Sequence, residues 1–372
     1  MMKNILTIFA KLLSALLLLP GCETEEVVNV SDTEAKKINE LFVLKKNDLY
    51  ALDAISGELL WHHDLQKLQD VQVTGMSEEI LCVGAYVFDR KTGELLARSE
   101  KENSRYVGGT ADNLLKVVKE NERGYVLYCF DRNEEIKWQH SGGAFLENIS
   151  IDKETVFLSD EEGFAALDLD SGKIVWRFPV DGLRLKTKID NQHIAIGILE
   201  PHPKQWENRP VGFEPFLVLV DRDTGNKVWK LDYRAVPVGM DGDHIYLAFP
   251  EEISAYSIAA QEKIWEHQFH EIVGGSIWAA SDTQFIYANV SMDNGDYLFC
   301  LDTESGNKVW KKEGIYFLTP VPGDELVYLS TWQQLPPHVI ALKKNSGEEV
   351  WRFEIEAEET LRAKLEPIYI FR

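Results

Sequence analysis

One segment recurs eight times along the chain, and self-similarity at a fixed period constrains a fold more tightly than any other sequence feature. It reads LYALDAISGELLW (49–61), YVFDRKTGELLA (86–97), LYCFDRNEEIKW (127–138) and AALDLDSGKIVW (165–176). It continues as LVLVDRDTGNKVW (217–229), SAYSIAAQEKIW (254–265), LFCLDTESGNKVW (298–310) and VIALKKNSGEEVW (339–351). The last position falls at Trp61, Ala97, Trp138, Trp176, Trp229, Trp265, Trp310 and Trp351, at intervals of 36, 41, 38, 53, 36, 45 and 41 residues. About forty residues is the length of four short strands, one blade of a β-propeller.

The fourth copy shows how a unit folds. Residues 145–151, 155–159, 164–167 and 173–177 are β-rich runs, with turns at 161–163 and 168–172. Asp can bind a backbone N–H within such a turn, and Gly takes positive φ without a Cβ clash. The expected fold class is therefore all-β, an eight-bladed β-propeller of four-stranded antiparallel blades, in a single domain over 41–372. Only one clear strand, 41–44, precedes the first copy, whereas 361–371 follows the last and contains PIYIF at 367–371. The C-terminal strand is expected to complete the first blade and so remove an open sheet edge. Some copies depart from the pattern. Ala97 replaces the Trp, the third copy lacks the Gly and is one residue short, Ser257 and Gln261 replace Asp and Gly in the sixth, and Lys343 replaces Asp in the eighth.

The motif A-L-D-x-x-S/T-G-x-x-x-W resembles the quinoprotein-type, or PQQ-like, β-propeller repeat, and covers 49–351. The resemblance implies that Trp61, Trp138, Trp176, Trp229, Trp265, Trp310 and Trp351 dock neighbouring blades, a role suited to a large ring with one N–H donor. The family includes quinone-dependent dehydrogenases, which usually carry two adjacent cysteines against the cofactor and are much longer. Here Cys22, Cys82, Cys129 and Cys300 are all separate. The expectation is a non-catalytic chain with no pyrroloquinoline quinone, the alternative being a quinone-dependent dehydrogenase or a propeller binding a small molecule or glycan in its channel.

Residues 1–21, MMKNILTIFAKLLSALLLLPG, have Lys3 and Lys11 before a short apolar stretch, the build of a secretory signal peptide and too short to span a bilayer. They end at Leu19-Pro20-Gly21-Cys22, which resembles the bacterial lipobox, although Pro20 departs from it. That resemblance implies cleavage before Cys22 and a diacylglycerol on its thiol, a lipid anchor in the membrane. Residues 22–40 are polar and read as a tether. Glu23 is not the aspartate associated with retention at the inner membrane, so a Gram-negative host would place the chain at the outer membrane facing the periplasm, and another host at the outer leaflet of the cytoplasmic membrane. With its anchor, repeats and length, the chain resembles the BamB family of envelope propeller lipoproteins, which implies a protein-binding scaffold.

Charge narrows the partners. The 372 residues hold 61 acidic and 39 basic side chains, which argues against nucleic acid, whose phosphates need a basic surface. No metal is expected. His62 and His63 are strand neighbours facing opposite ways, His267 and His270 do not form a ligand pair, and the acidic 293–296 stretch reads first as a hairpin turn. Three turns between second and third strands look extended, at 199–215, 290–296 and 331–338, and in a propeller these emerge on one face. Their aromatic, cationic and imidazole side chains, His202, Trp206, Arg209, Phe213, Trp332 and His338, sit among prolines and are the candidate partner-binding residues, because stiff loops lose little entropy on docking. The closed disc is expected to be monomeric.

Overall fold

Eight four-stranded sheets, antiparallel throughout, follow one another around a ring. The computed structural model describes residues 40–45, 47–65, 73–99, 101, 103–110, 112–120, 124–180, 183–200, 214–314, 319–331, 336–355 and 368–371. No helix occurs among them. The fourth blade is representative, with strands Leu146–Asp152, Thr155–Asp160, Gly163–Asp168 and Ile174–Phe178 paired in sequence order. The first blade alone departs from that order. Its strands Glu40–Lys45, Asp48–Asp53 and Leu59–Asp64 are completed by Ile368–Phe371, which lies antiparallel to the first of them with Val43 opposite Ile370 and Leu44 opposite Tyr369. Ring closure by the C-terminal strand is thus the observed topology. Glu40, placed by the sequence in the tether, already pairs with Asp53.

The first strands of successive blades lie side by side around the axis, among them Val73–Met76 beside Ser104–Thr110 and Val236–Met240 beside Ile272–Ser281. Space there is scarce. A Cβ on Gly75 would collide with the carbonyl of Val107 in the next blade, so this position needs glycine.

The repeat motif builds the turn between third and fourth strands. Asp221 Oδ1 accepts hydrogen bonds from the Thr224 backbone N–H at 2.8 Å and its hydroxyl at 2.6 Å, and Gly225 follows with φ +68°. Asp53, Asp89, Asp168 and Asp302 grip Ser56, Thr92, Ser171 and Ser305 in the same way. Hydrogen bonding to the ionised form holds the carboxyls of Asp89, Asp168 and Asp221 below their ordinary pKa. Where the sequence departs, the backbone still takes the left-handed conformation. Glu134 has φ +62° in the shortened third copy and Gln261 has φ +58° in the sixth.

Seven of the eight turns also receive the tryptophan of the preceding blade. The indole Nε1 donates to a backbone carbonyl just past the turn's first residue: Trp138 to Leu169 at 2.8 Å, Trp176 to Arg222 at 2.8 Å, Trp265 to Thr303 at 2.9 Å and Trp310 to Lys344 at 2.6 Å. Trp351 donates to Ala54 at 3.2 Å, joining the eighth blade to the first. Trp61 packs against Phe42 and Phe88 and onto Gly93, and Trp229 against Tyr256. At the seam between blades two and three both halves of the device are missing, since half-buried Ala97 stands for the Trp and the opposing turn is the shortened one, without glycine. Ile80, Cys82, Val87, Tyr106 and Leu114 pack with Ala97 there instead.

A detail of the fourth strands escaped the sequence reading. In all eight blades the ladder slips by one residue just before the Trp position. Ala166 faces Trp176 while Leu167 faces Ile174, so Val175 is an extra, bulged residue. The same slip recurs in every other blade. A bulge re-aims side chains, and in every blade but the fifth, where Val228 is half-buried, it leaves two consecutive residues exposed where strict alternation would bury one.

Candidate partner-binding face

Because the strands alternate in direction, the second-to-third-strand turns and the blade-to-blade connections share one face, and the Asp-Gly turns lie on the other. Of the six candidate residues expected on the first face, His202, Trp206, Arg209, Phe213 and Trp332 lie outside the described residues. His338 is described and differs from expectation. It begins a strand, His338–Lys343, and is buried, with Nδ1 3.0 Å from the Pro336 carbonyl. Its backbone N–H reaches the Thr331 hydroxyl and its carbonyl accepts from the Thr331 N–H. The extended ladder, not the loop, claims this residue.

The 290–296 turn is likewise shorter than expected. Strand Phe285–Met292 continues to pair with Gly295–Asp302, Ser291 opposite Asp296 and Met292 opposite Gly295, so only Asp293 and Asn294 turn the chain. The strands of blade seven are long, and the polar residues read as loop belong to its ladder. Asp296 accepts a hydrogen bond from the Ser291 hydroxyl. Lys311 sets its ammonium 3.3 Å from the centroid of Tyr297 and 5.0 Å from that of Phe299, a cation–π arrangement.

The strongest electrostatic feature of the face is a latch between blades three and four. Asp160, buried at the end of its strand, receives both terminal guanidinium nitrogens of Arg177 and His140 Nε2 at 2.9 Å. The Glu162 backbone N–H adds a further bond at 2.9 Å. Burial alone would raise the carboxyl, but the hydrogen bonds from His140 and Arg177 outweigh it and hold its pKa at about 2. A carboxylate so committed positions its neighbours and holds no proton to give at neutral pH. Elsewhere the seams carry ion pairs of their own, Arg222 with Asp152 at 2.5 Å, Lys344 with Asp282 at 2.6 Å and Arg90 with Glu40 at 3.7 Å.

His62, His63 and His267 prove to be packing residues. His62 stacks on Tyr50 and binds Asp48, while His63 reaches the Gly93 carbonyl in the next blade at 2.6 Å. His267 Nδ1 meets the Gly306 carbonyl at 3.0 Å, the corresponding place in a later blade. Among the described residues no group of three or more His, Cys, Asp or Glu side chains could hold a metal ion. Cys82, Cys129 and Cys300 are buried free thiols. Burial pushes the first up to about 12 and the second to about 11, which keeps them protonated.

The closed ring of eight repeats, with indoles bonded into the turns of neighbouring blades, defines a PQQ-like β-propeller. A family model described as outer membrane protein assembly factor BamB matches residues 45–189 and 216–367, and the chain belongs to that family. No curated protein shows significant similarity to it. Among solved structures it is similar to BamB from Moraxella catarrhalis, at 13% identity and TM-score 0.53 over 84% of this chain and 92% of that one. The dihydro-heme d1 dehydrogenase NirN matches at 12% identity and TM-score 0.60, over 92% and 77%. Apo AztD from Citrobacter koseri matches at 12% and 0.56, over 89% and 97%. At these identities the likeness is one of fold.

Proposed function

We propose that the protein is a non-catalytic, lipid-anchored scaffold of the cell envelope that holds a protein partner on its second-to-third-strand face, in the service of outer-membrane protein assembly. The family match carries this reading in a specific way. It covers residues 45–189 and 216–367 and leaves out both the strand His193–Glu200 and the segment holding His202, Trp206, Arg209 and Phe213, so the match speaks for the frame and not for that candidate segment. A scaffold keeps its ring and varies the loops it presents. Cys22 supplies the anchor, and the acidic balance of the chain favours a partner with a cationic surface.

Affinity capture from detergent-solubilised envelope tests the reading, with stable recovery of a barrel-assembly subunit as the expected outcome. Oxidation of an alcohol or sugar coupled to dye reduction by the purified protein would refute a non-catalytic role. Globomycin treatment is expected to leave uncleaved precursor, as lipidation of Cys22 requires.

A further inference from the structure

The outer rim of the disc is chemically divided. Two residues before each Trp position, blades one to four carry Leu59, Leu95, Ile136 and Ile174, whereas blades five to eight carry Lys227, Lys263, Lys308 and Glu349. All eight are exposed. These positions lie on the outermost strands, whose free edges natural sheets protect with charge. The charged half follows that rule, and in blade six Lys263 is paired with Glu252 at 2.9 Å and Glu266 at 2.7 Å. The other half breaks it.

Apolar exposure is densest on blades one and two. The bulge sets a second aliphatic beside the first, giving Leu59 with Leu60 and Leu95 with Leu96, and the turn of blade one adds Ile55; all five are between 47% and 61% exposed. Uncharged leucines on adjoining edge strands form the kind of patch that soluble surfaces avoid. The chain also enters the ring here. Glu40, the first described residue, pairs with Asp53, two positions from Ile55. Seventeen residues lie between it and Cys22, a maximum reach of roughly 60 Å, and a lipid on Cys22 would tether the disc by the side that carries the ledge.

We infer that the leucine rim of blades one and two rests on the lipid surface, so that the disc stands on its edge with both faces open to partners. This rests on the lipid-anchor reading. These aliphatic side chains suit the acyl–headgroup boundary of a zwitterionic bilayer, where side chains of this type partition, with the exposed Glu58, Glu94 and Arg98 that flank them left at headgroup level.

The test uses the full lipidated chain in phosphatidylcholine vesicles, with an environment-sensitive dye on Leu60→Cys, on Leu96→Cys and, on the opposite side of the ring, on Ile264→Cys. Flotation is read first, and a chain that fails to float with the vesicles overturns both the anchor and the rim contact. In a chain that floats, brominated lipid is expected to quench the dyes at 60 and 96 several-fold more than the dye at 264. Equal quenching at all three overturns the rim contact and leaves the anchor standing. A blue shift at 96 that brominated lipid does not quench means that a second copy or another protein covers the ledge, which also overturns it. Leu59→Lys with Leu95→Lys, copying the charged half of the rim, is expected to bring quenching at 96 down to the level at 264 with the melting temperature unchanged.

Discussion

Gly225 faces the indole of Trp176 across the seam between the fourth and fifth blades so closely that a Cβ there would stand 2.5 Å from the ring. The same glycine needs its φ of +68°, and the Trp176 Nε1 bond to Arg222 fixes the ring from the other side. Gly225→Ala therefore meets both a left-handed backbone penalty and an overpacked seam, and is expected to cost about 2–4 kcal/mol in urea unfolding. A loss under about 0.5 kcal/mol would show that the turn does not seat the ring.

The Asp160 latch gives stability a pH signature. Its folded pKa, about 2, lies below the ordinary value near 3.8. The group's stabilising contribution is therefore full above about pH 4 and disappears as pH falls towards 2. Asp160→Asn leaves Arg177 and His140 without their shared charge, and is expected to cost roughly 3 kcal/mol at pH 7. The gap between variant and parent, measured by denaturation at several pH values, should close on acidification. A gap of constant size between pH 7 and 2.5 would contradict the assignment.

Removing residues 368–372 takes away the strand that pairs with Glu40–Lys45. Val43 and Leu44, fully buried in the intact ring, then sit on an open sheet edge. Such an edge is a template for pairing with other chains. The truncated protein is expected to elute as oligomer or aggregate in size-exclusion chromatography and to lose its cooperative melting transition. A monomer melting at the parental temperature would mean that the seal lies elsewhere.

Much of this was legible in the sequence because repetition multiplies weak signals. One Asp-x-x-Ser/Thr-Gly turn is common, but five of them within eight repeats in register fix blade count, strand order and the place of the indoles. Closure was legible by subtraction, from one missing strand at the start and one spare at the end. The bulge before each Trp was not, since Ile174-Val175 reads as ordinary strand and only the slipped ladder shows that both face solvent. Nor was the Asp160 latch, whose members His140 and Arg177 come from different copies of the repeat and meet only when blades three and four are side by side. His338 was misplaced for a related reason. Prolines at 336 and 337 mark a loop, yet hydrogen bonds with Thr331 extend the strand back to His338.

The placement of His338 in a strand separates it from the other candidate residues in a way that substitution can read. Burial pulls its imidazole below the ordinary pKa, so the neutral ring is the folded form and stability is lost as pH falls below about 6.5. His338→Ala removes a buried ring bonded to the Pro336 carbonyl and is expected to lower stability by about 1–3 kcal/mol while leaving capture of the partner unchanged at a temperature where the variant is folded. Trp206→Ala and Trp332→Ala are expected to do the reverse, weakening capture with no fall in melting temperature, as aromatic anchors on a presented loop do. Should His338→Ala abolish capture while the two tryptophan variants retain it, the binding surface would have to be sought away from these loops.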